Sequence, residues 1–252
     1  MASFRARPLV VETSNCLPEP CAQCDARPFS VCSAIEDRDL SRLAALAHPF
    51  AVELGRSFID EGDPAENFFN VTTGTAKLFK MLPDGRRQIT GFAGTGHFLG
   101  LAVSSTYAFS AEAVEPMRVC RFSRPRLRAL LEDFPALERR LLEAASTELV
   151  AAQDQMLLLG RKTARERLAS FLIARADGQT LARSGCAHVS RASVVHLPMT
   201  RTDIADYLGL TIETVSRTLT RLRRERLIEL PSPSEIVLRN VAALDRLATG
   251  FA

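Results

Sequence analysis

The chain has 252 residues, of which 46% are hydrophobic and 24% charged, and its net charge is +3. This is the composition of an ordinary soluble globular protein with one large or two modest domains. No apolar run approaches the roughly 20 residues that span a bilayer, and the N-terminus lacks the apolar stretch of a secretory signal. Six cysteines are too few for a disulfide scaffold, so a cytoplasmic protein is expected.

The charge is unevenly distributed along the chain. Residues 160–252 carry 15 Lys and Arg against 9 Asp and Glu, whereas the remaining residues are slightly negative. A basic C-terminal part on a nearly neutral body is typical of a module that binds a polyanion. The excess is mild, so further evidence from motifs is needed.

The first 34 residues contain prolines, no periodicity and three closely spaced cysteines. Cys21, Cys24 and Cys32 follow a C-x2-C-x7-C spacing. In a cytoplasmic protein such a cluster is more typical of metal or redox chemistry than of a disulfide. Zinc, a redox cofactor, a disulfide and coincidence are all open from the spacing alone. A short helix is predicted over residues 35–47.

Residues 50–123 have the pattern of a β-structure. Eight of the 13 glycines fall between Gly55 and Gly100, and short apolar segments alternate with turn signals such as Pro83-Asp84-Gly85. The last such segment is AEAVEPMRVCRF. We therefore predict an antiparallel, jelly-roll-like β-roll that occupies residues 35–124 as a sensor domain.

Helical periodicity begins at Pro125. A short helix, PRLRALLEDF, precedes a long one over residues 135–160, and residues 125–160 are predicted as the dimerisation region. Its apolar residues recur with a 3-4 spacing that is typical of a coiled-coil seam. The seam residues are Leu142, Ala145, Leu149, Ala152, Met156 and Leu159. Packing of the same helix against its own β-roll is the alternative, and both can hold on different faces.

The C-terminal domain, residues 161–252, contains a helix-turn-helix pattern. A helix over residues 163–176 is followed by a predicted loop that contains Gly178, Gly185 and Cys186. In residues 197–230, Thr200 and Asp203 have the spacing of a capping box, and Gly209 stands where a tight turn is needed. Residues 227–239 predict a β-wing.

The second helix of this motif presents polar side chains outward. Arg217 suits guanine, Glu213 suits cytosine N4, and Ser216 suits a neighbouring base edge. Arg221, Arg223, Arg224 and Arg226 suit phosphates. The predicted DNA-binding residues are Thr211, Glu213, Ser216, Arg217, Thr220 and Arg221. The sequence therefore predicts a protein that binds double-stranded DNA.

A β-roll, a long helix and a C-terminal winged helix-turn-helix together resemble the CRP superfamily of bacterial transcription regulators. The segments LGLTIETVSR, MLLLGRKTARERLASFL and DGRRQITGF resemble its FNR-type (fumarate-and-nitrate-reduction) branch. The resemblance implies an α+β fold and a homodimeric, oxygen-responsive regulator that is not an enzyme. The recognition triad of the family falls on Glu213, Ser216 and Arg217, which implies TTGAT-type half-sites in a palindrome.

The same resemblance implies a cofactor. FNR-type regulators hold a 4Fe–4S cluster with four cysteines, and their fourth ligand corresponds to Cys120, beside Cys21, Cys24 and Cys32 in an α-proteobacterial type of spacing. Loss of the cluster to oxygen is expected to weaken the dimer and its affinity for DNA. Zinc, or no cofactor, is the alternative. Cys16 and Cys186 remain without a role.

One seam residue modifies this expectation. Ala152 is uncharged, where a charged residue would make dimerisation depend more strongly on the cluster. We therefore expect some dimerisation without the cluster.

Several other functions are weighed against this one. Leu101 and Phe109 stand where cyclic-AMP-binding relatives have a Glu and an Arg, so no cyclic nucleotide is expected. A haem-based gas sensor or a thiol-redox regulator on the same scaffold is the alternative. The four histidines, His48, His97, His188 and His196, have no ligand spacing, and no catalytic motif was found. By resemblance, residues 84–87 and 112–118 would contact RNA polymerase.

Overall fold

The computed structural model describes residues 21, 24–101, 104–184 and 194–250, with residues 180–184 described by their backbone alone. Cys16, Gly185, Cys186 and His188 lie outside the described residues. The predicted α+β architecture is confirmed: a β-roll, a long helix and a winged helix-turn-helix follow one another along the chain. Within the described ranges no helix combines the length and the apolarity that crossing a membrane requires.

The β-roll consists of two four-stranded antiparallel sheets. Its strands are β1 (Ala47–Val52), β2 (Ser57–Ile59), β3 (Asn67–Thr73), β4 (Ala76–Met81), β5 (Arg87–Ala93), β6 (Phe98–Leu99), β7 (Ser110–Ala113) and β8 (Met117–Ser123). One sheet has the order β1-β8-β3-β6 and the other β2-β7-β4-β5. The apolar core between the sheets includes Phe69, Val71, Ala111 and Val119.

The apolar segment AEAVEPMRVCRF contributes to two strands. The segment forms the end of β7 and most of β8, and the two strands belong to different sheets. The chain crosses from one sheet to the other between Ala113 and Met117, around Pro116, whose nitrogen has no hydrogen to donate to a ladder. The short strand β6 was not predicted.

The outer face of the first sheet is covered rather than solvated. Residues 24–39, which we call the N-terminal segment, form 3-10 turns at Arg27–Phe29, Val31–Ala34 and Asp37–Asp39. They are followed by α1 (Leu40–Ala44), which is the helical part of the predicted 35–47 helix. Val31, Leu40, Phe68 and Phe122 belong to one buried cluster on this face. Strand β3 is therefore buried on both sides.

Two helices follow the roll. α2 (Arg124–Asp133) and α3 (Pro135–Arg161) match the predicted short and long helices closely. Pro125 and Pro135 lie in the first turns, where a missing N–H costs no hydrogen bond. Leu137 and Leu141 of α3 pack into the cluster under the N-terminal segment, and Leu158 packs into the C-terminal domain.

Helix α4 (Ala164–Ser184) is longer than predicted. Gly178, which was expected in a loop, lies inside it. The carboxamide of Gln179 holds the backbone of His196 through two hydrogen bonds, of 2.5 and 3.0 Å. We attribute the extension to this tertiary contact, which overrides the low helix propensity of glycine.

The C-terminal domain combines four helices, of which α4 is the first, with a three-stranded wing among its described residues. Its remaining elements are β9 (Val194–His196), α5 (Arg201–Leu208), α6 (Ile212–Arg224), β10 (Ile228–Ser232), β11 (Glu235–Leu238) and α7 (Val241–Thr249). The wing has the order β10-β11-β9, of which β9 was not predicted. One large apolar cluster joins the wing, α4, α5, α6 and α7, and it includes Leu172, Leu208, Leu219 and Ile236.

Candidate nucleic-acid interface and thiol cavity

The start of α5 is fixed by the capping box that the sequence predicted. Thr200 Oγ1 accepts a hydrogen bond from the Asp203 amide at 3.1 Å, and the Asp203 carboxylate accepts one from the Thr200 amide at 3.0 Å. The helix ends at Gly209, which has φ +61°. A Cβ there would lie 3.1 Å from Leu159 in α3, so the turn needs glycine for both conformation and space.

Helix α6 presents a polar face to solvent. Thr211 caps it by accepting a hydrogen bond from the Thr214 amide at 3.2 Å. Val215, Leu219 and Leu222 are buried against the domain, and this leaves Glu213, Ser216 and Arg217 exposed. The predicted outward set is therefore placed on one accessible face near the start of the helix, which is where recognition helices contact bases.

Two predicted DNA-binding residues have additional contacts. The hydroxyl of Thr220 is half-buried and donates to the Ser216 carbonyl at 2.9 Å. Arg221 forms an ion pair of 3.0 Å with Glu225, which is also paired with Arg165 of α4. A phosphate that binds Arg221 would have to compete with Glu225.

The four predicted cysteine ligands line a single cavity. Cys21, Cys24 and Cys32 reach it from the N-terminal end of the chain, and Cys120 reaches it from β8. On β8, Cys120 and Phe122 share the outer face, because alternate residues of a strand point to the same side. None of the four forms a disulfide.

Backbone hydrogen bonds hold the N-terminal thiols in two compact turns. The Cys24 amide donates to the Cys21 carbonyl at 3.3 Å, and the Arg27 amide donates to the Cys24 carbonyl at 3.1 Å. Ser30 caps the turn that carries Cys32 by accepting a hydrogen bond from its amide at 3.3 Å. The C-x7-C spacing therefore brings Cys32 back beside the C-x2-C pair.

Burial makes two of these thiols, Cys32 and Cys120, poor nucleophiles in the protein alone. Burial, reinforced by the other three thiols, raises the pKa of Cys120 to about 12. Burial also raises the pKa of Cys32, to about 11. Both thiols are therefore protonated at neutral pH and need a metal to displace their protons.

The cavity is also lined by two polar side chains that the sequence analysis missed, Arg27 and Asn70. The Arg27 guanidinium donates to the Ile35 carbonyl and to Asp37. Asn70, in β3, is 1% exposed, lies opposite Cys120 in the β3–β8 ladder, and its Oδ1 has no hydrogen-bond partner among the described residues. Four thiols and a carboxamide fit a bound metal–sulfur group, because such a group offers acceptors to the NH2 group of the carboxamide.

A single metal ion and a cluster require different arrangements of the same four thiols. Among the described residues, no three His, Cys, Asp or Glu side chains are arranged to hold one ion. A tetrahedral zinc site brings four thiolates to about 2.3 Å from a single point. A 4Fe–4S cluster spreads its four cysteines over different irons, so its ligands can surround a cavity without converging on one point.

The predicted seam of α3 is largely open to solvent. Leu142, Leu149 and Met156 are 68%, 60% and 69% exposed. Ala152 is also exposed, whereas Ala145 and Leu159 are half-buried. Leu159 packs against the core of the C-terminal domain.

The exposed apolar stripe is broader than the predicted seam. Val150 and Leu157, which the 3-4 spacing did not select, are 56% and 55% exposed. Large apolar side chains that are exposed together on one helix mark an interaction surface.

Buried charges connect the β-roll to the C-terminal domain. Lys77 of β4 is paired with Asp203 at 3.1 Å and with Glu112 at 2.8 Å. Arg87 of β5 is paired with Asp203 at 3.1 Å and with Asp206 at 2.7 Å. Arg87 was predicted as part of an RNA polymerase contact, but in the structure it holds α5.

A second connection joins α3 to the turn of the helix-turn-helix. The guanidinium of Arg167 donates to the carbonyls of Leu159 and Leu208, both at 2.8 Å, and to that of Lys162 at 2.9 Å. The end of the long helix, the start of α4 and the end of α5 therefore share one side chain.

The residues that sequence reasoning missed have in common that their partners are distant in sequence. Asn70, Lys77, Arg87 and Arg167 are of this kind. Only Asn70 left a local signal, since it is a polar residue inside the apolar run FFNV.

Comparison with known proteins places both halves of the chain. Residues 166–247 match the family model described as a Crp-like helix-turn-helix domain. Residues 50–134 match the model described as a cyclic nucleotide-binding domain. The two matches cover the DNA-binding half and the β-roll with α2.

Complete relatives and a solved structure are also similar to the chain. It is 42% identical over 210 residues to the nitrogen fixation regulation protein FixK of Bradyrhizobium diazoefficiens, covering 83% of this chain and 86% of the relative. It is 35% identical over 226 residues to the transcriptional activator protein FnrL of Cereibacter sphaeroides, covering 89% and 90%. The structure of FixK2 from Bradyrhizobium japonicum is similar with a TM-score of 0.72 and 37% identity, covering 80% of this chain and 96% of that one.

Proposed function

The chain belongs to the Crp/FNR family of transcription regulators, and on that basis we propose that it is an oxygen-responsive activator controlled by a 4Fe–4S cluster. Like these relatives, it is a DNA-binding regulator and not an enzyme. The proposed part is the cofactor, its ligands Cys21, Cys24, Cys32 and Cys120, and the way in which they control DNA binding.

The observation that carries this proposal is the shared cavity of four thiols. Three come from one short segment and one from the last strand of the roll, yet all four line the same space. Iron–sulfur clusters are held by four cysteine thiolates, and the bound group would supply redox chemistry that responds to oxygen. The names of the relatives state no cofactor, so this proposal depends on the thiols of this chain.

A haem sensor and a thiol switch have less support. The three described histidines, His48, His97 and His196, are all exposed and lie on different parts of the fold. A thiol switch needs a reactive thiolate, whereas the raised pKa of Cys32 and of Cys120 keeps these thiols protonated. Neither alternative uses all four thiols together.

The β-roll is proposed to sense no cyclic nucleotide, although its fold belongs to that domain family. Leu101 packs against the cluster on the outer face of the roll, and Phe109 packs against its inner core. Neither side chain offers a counter-charge for a cyclic phosphate.

The N-terminal segment, which carries thiols of the cavity, also packs against the long helix α3. Val31 and Ile35, which flank Cys32, are buried in the same cluster as Leu137 and Leu141 of α3. When the four thiols are held together, the segment is fixed between the sheet and α3. When they are released, α3 loses part of the surface against which its first half packs.

We propose that α3 forms the homodimer contact. Its exposed apolar stripe, from Leu142 to Met156, is the kind of surface that a second copy of the same helix covers. A dimer places two α6 helices on one duplex. Coupling between the thiol cavity and dimerisation would therefore change DNA affinity strongly.

The proposed target is a palindrome of TTGAT-type half-sites. Glu213, Ser216 and Arg217 lie exposed on α6, where each is free to meet a base edge. Two such helices in a symmetric dimer would read half-sites about 34 Å apart. RNA polymerase is the proposed partner in activation, with residues 112–118 and the exposed Asp84–Arg86 pair of the hairpin turn as the candidate surface.

Anaerobic purification with iron and sulfide analysis tests the cofactor. About four of each per chain are expected, with a broad absorption near 400 nm that bleaches in air. Cys120→Ser should lose iron and sulfide, whereas Cys16→Ser and Cys186→Ser, the matched controls, should keep both. Zinc without sulfide would refute the proposal, and a sharp Soret band would establish haem instead.

A further inference from the structure

We propose that the carboxamide of Asn70 donates a hydrogen bond to a sulfur of the bound cluster and thereby slows loss of the cluster. This inference rests on the proposed function, because it assigns a fifth residue to the same site. Asn70 touches the cavity but is not a ligand, so its part is to position and stabilise the bound group.

The first reason is that Asn70 is buried without compensation. It is 1% exposed, and its Oδ1 has no partner among the described residues. Burying an amide oxygen without a hydrogen bond is unfavourable, and native proteins seldom keep such a group unless it has a role. Phe68, two residues earlier on the same face, shows that an apolar side chain is accommodated there.

The second reason is the position of Asn70 relative to the thiols. Asn70 lines the cavity together with all four cysteines, and its partner in the β3–β8 ladder is Cys120 itself. The backbone register therefore fixes Asn70 beside the one ligand that the roll supplies. Among the residues that the structure describes, no other carboxamide lines this cavity.

The third reason is chemical complementarity. A protonated thiol is a weak donor, whereas metal-bound thiolates and sulfides only accept. The oxygen and nitrogen ends of an asparagine exchange by a half-turn about χ2, and coordinates alone do not distinguish them. Turned this way, the NH2 group would face the bound sulfurs, and hydrogen bonds to such sulfurs tune both the stability and the potential of a cluster.

A purely structural role for Asn70 gives the opposite prediction for the protein without a cofactor. If the carboxamide supports the strand, removing it should destabilise the roll whether or not the cluster is present. If it serves the bound group, its removal should leave the cofactor-free roll as stable as before, or more stable. The comparison between the two forms therefore separates the two roles.

The experiment compares Asn70→Leu with the parent protein, both purified anaerobically with their clusters. Asn70→Leu should bind about four iron and four sulfide, but lose iron to excess EDTA about 10-fold faster. Its midpoint potential should be more negative, and its thermal midpoint without the cofactor should be unchanged or raised. Asn70→Ala, which adds no apolar bulk, should lose iron in the same way.

Ser110→Ala is the matched control. Ser110 is a buried polar residue of the other sheet, and its hydroxyl accepts a hydrogen bond from the Glu61 amide at 3.0 Å. This variant should lower the thermal midpoint with and without the cluster, with no change in the rate of iron loss.

The outcomes are distinguishable. Iron loss and a potential equal to those of the parent, in both Asn70 variants, would overturn this inference and leave the proposed function intact. A cofactor-free Asn70→Leu protein with a lower thermal midpoint would assign the residue a structural role. A parent protein without iron and sulfide would overturn the proposed function together with this inference.

Discussion

Lys77 of the β-roll and Asp203 of the helix-turn-helix form an ion pair of 3.1 Å in which both side chains are almost fully buried. The same carboxylate accepts the amide hydrogen of Thr200 and thereby caps the first helix of the DNA-binding motif. One residue therefore fixes both the start of α5 and its attachment to the roll. The placement of the DNA-binding motif relative to the roll depends on this contact.

Replacing Asp203 should be strongly destabilising. Asp203→Asn removes one of the two carboxylate partners of Lys77 and of Arg87, which keep Glu112 and Asp206. Breaking a buried pair from one side costs about 3–5 kcal/mol when a charge is left uncompensated, so we expect a loss near the lower end of this range, measured by urea unfolding. Asp84→Asn, at an exposed pair with Arg86 inside a hairpin turn, is the control and should cost less than about 1 kcal/mol. If Asp203→Asn and Asp84→Asn lower the free energy of unfolding equally, the interdomain pair contributes no more to stability than an exposed pair.

The same carboxylate should give the protein an acid-sensitive contribution to stability. Burial by itself raises the pKa of Asp203, but hydrogen bonds from Thr200 and Lys77 outweigh it and hold the pKa below its ordinary value. Because the folded-state pKa is depressed, the stabilisation is present above the unfolded value of about 3.9 and is lost as the pH falls through the folded pKa.

Urea midpoints measured from pH 7 down to pH 3 check this. The difference in stability between the parent and Asp203→Asn should be constant near neutrality and shrink below about pH 4. A difference that stays constant across this range would contradict the depressed pKa.

Arg217 should determine sequence preference, whereas the basic end of α6 should not. Arg217→Ala removes the proposed bidentate contact to guanine and should cost about 1–3 kcal/mol per half-site on a TTGAT palindrome, with little effect on a scrambled duplex. Arg224→Ala, an exposed residue in the last turn of the same helix, is the matched control. It should weaken both duplexes equally and reduce the salt slope by about 1. Fluorescence anisotropy at several salt concentrations distinguishes these patterns.

The exposed stripe of α3 should be required for dimerisation and not for folding. Leu149→Glu places a charge at the centre of the proposed contact, where it would be desolvated in the dimer but solvated in the monomer. We expect a loss of about 2 kcal/mol or more of dimer stability, visible in anaerobic sedimentation, with helicity unchanged. Ala151→Glu, exposed on the opposite side of the helix, should remain dimeric. A dimeric Leu149→Glu protein would place the interface elsewhere.

Dimerisation should persist in part without the cluster. Ala152 is exposed and uncharged within the stripe, so no repulsion between the two copies has to be overcome. The same sample, sedimented anaerobically and after exposure to air, should retain a fraction of dimer in air. A sample that is wholly monomeric in air would contradict this expectation.

The sequence predicted best what depends on neighbouring residues. The capping box at Thr200, the glycine at the turn and the apolar periodicity of α6 act within a few residues, and all three were found where expected. Two features depend on partners far along the chain, and local patterns did not predict them. They are the change from one sheet to the other around Pro116 and the extension of α4 past Gly178.

The candidate thiol site shows the same limit. The spacing of Cys21, Cys24 and Cys32 indicated a cluster of thiols but not a fourth member, which came from resemblance. Asn70 and Lys77 are buried polar residues: the neighbour of Asn70 in the ladder is Cys120 on β8, and Lys77 pairs with Asp203 in the other domain. Such roles are determined by contacts between residues that are distant in sequence. These contacts leave no periodic pattern from which they could be predicted.

The ladder that places Asn70 opposite Cys120 also constrains the order of events during biosynthesis. Strand β8 is the last of the roll to leave the ribosome, and it inserts between β1 and β3, which are made first. Cys21, Cys24 and Cys32 are therefore synthesised before most of the β-roll, whereas Cys120 is synthesised near its end. A group that is held by all four cysteines, as proposed, would be complete only after β8 has been made and paired.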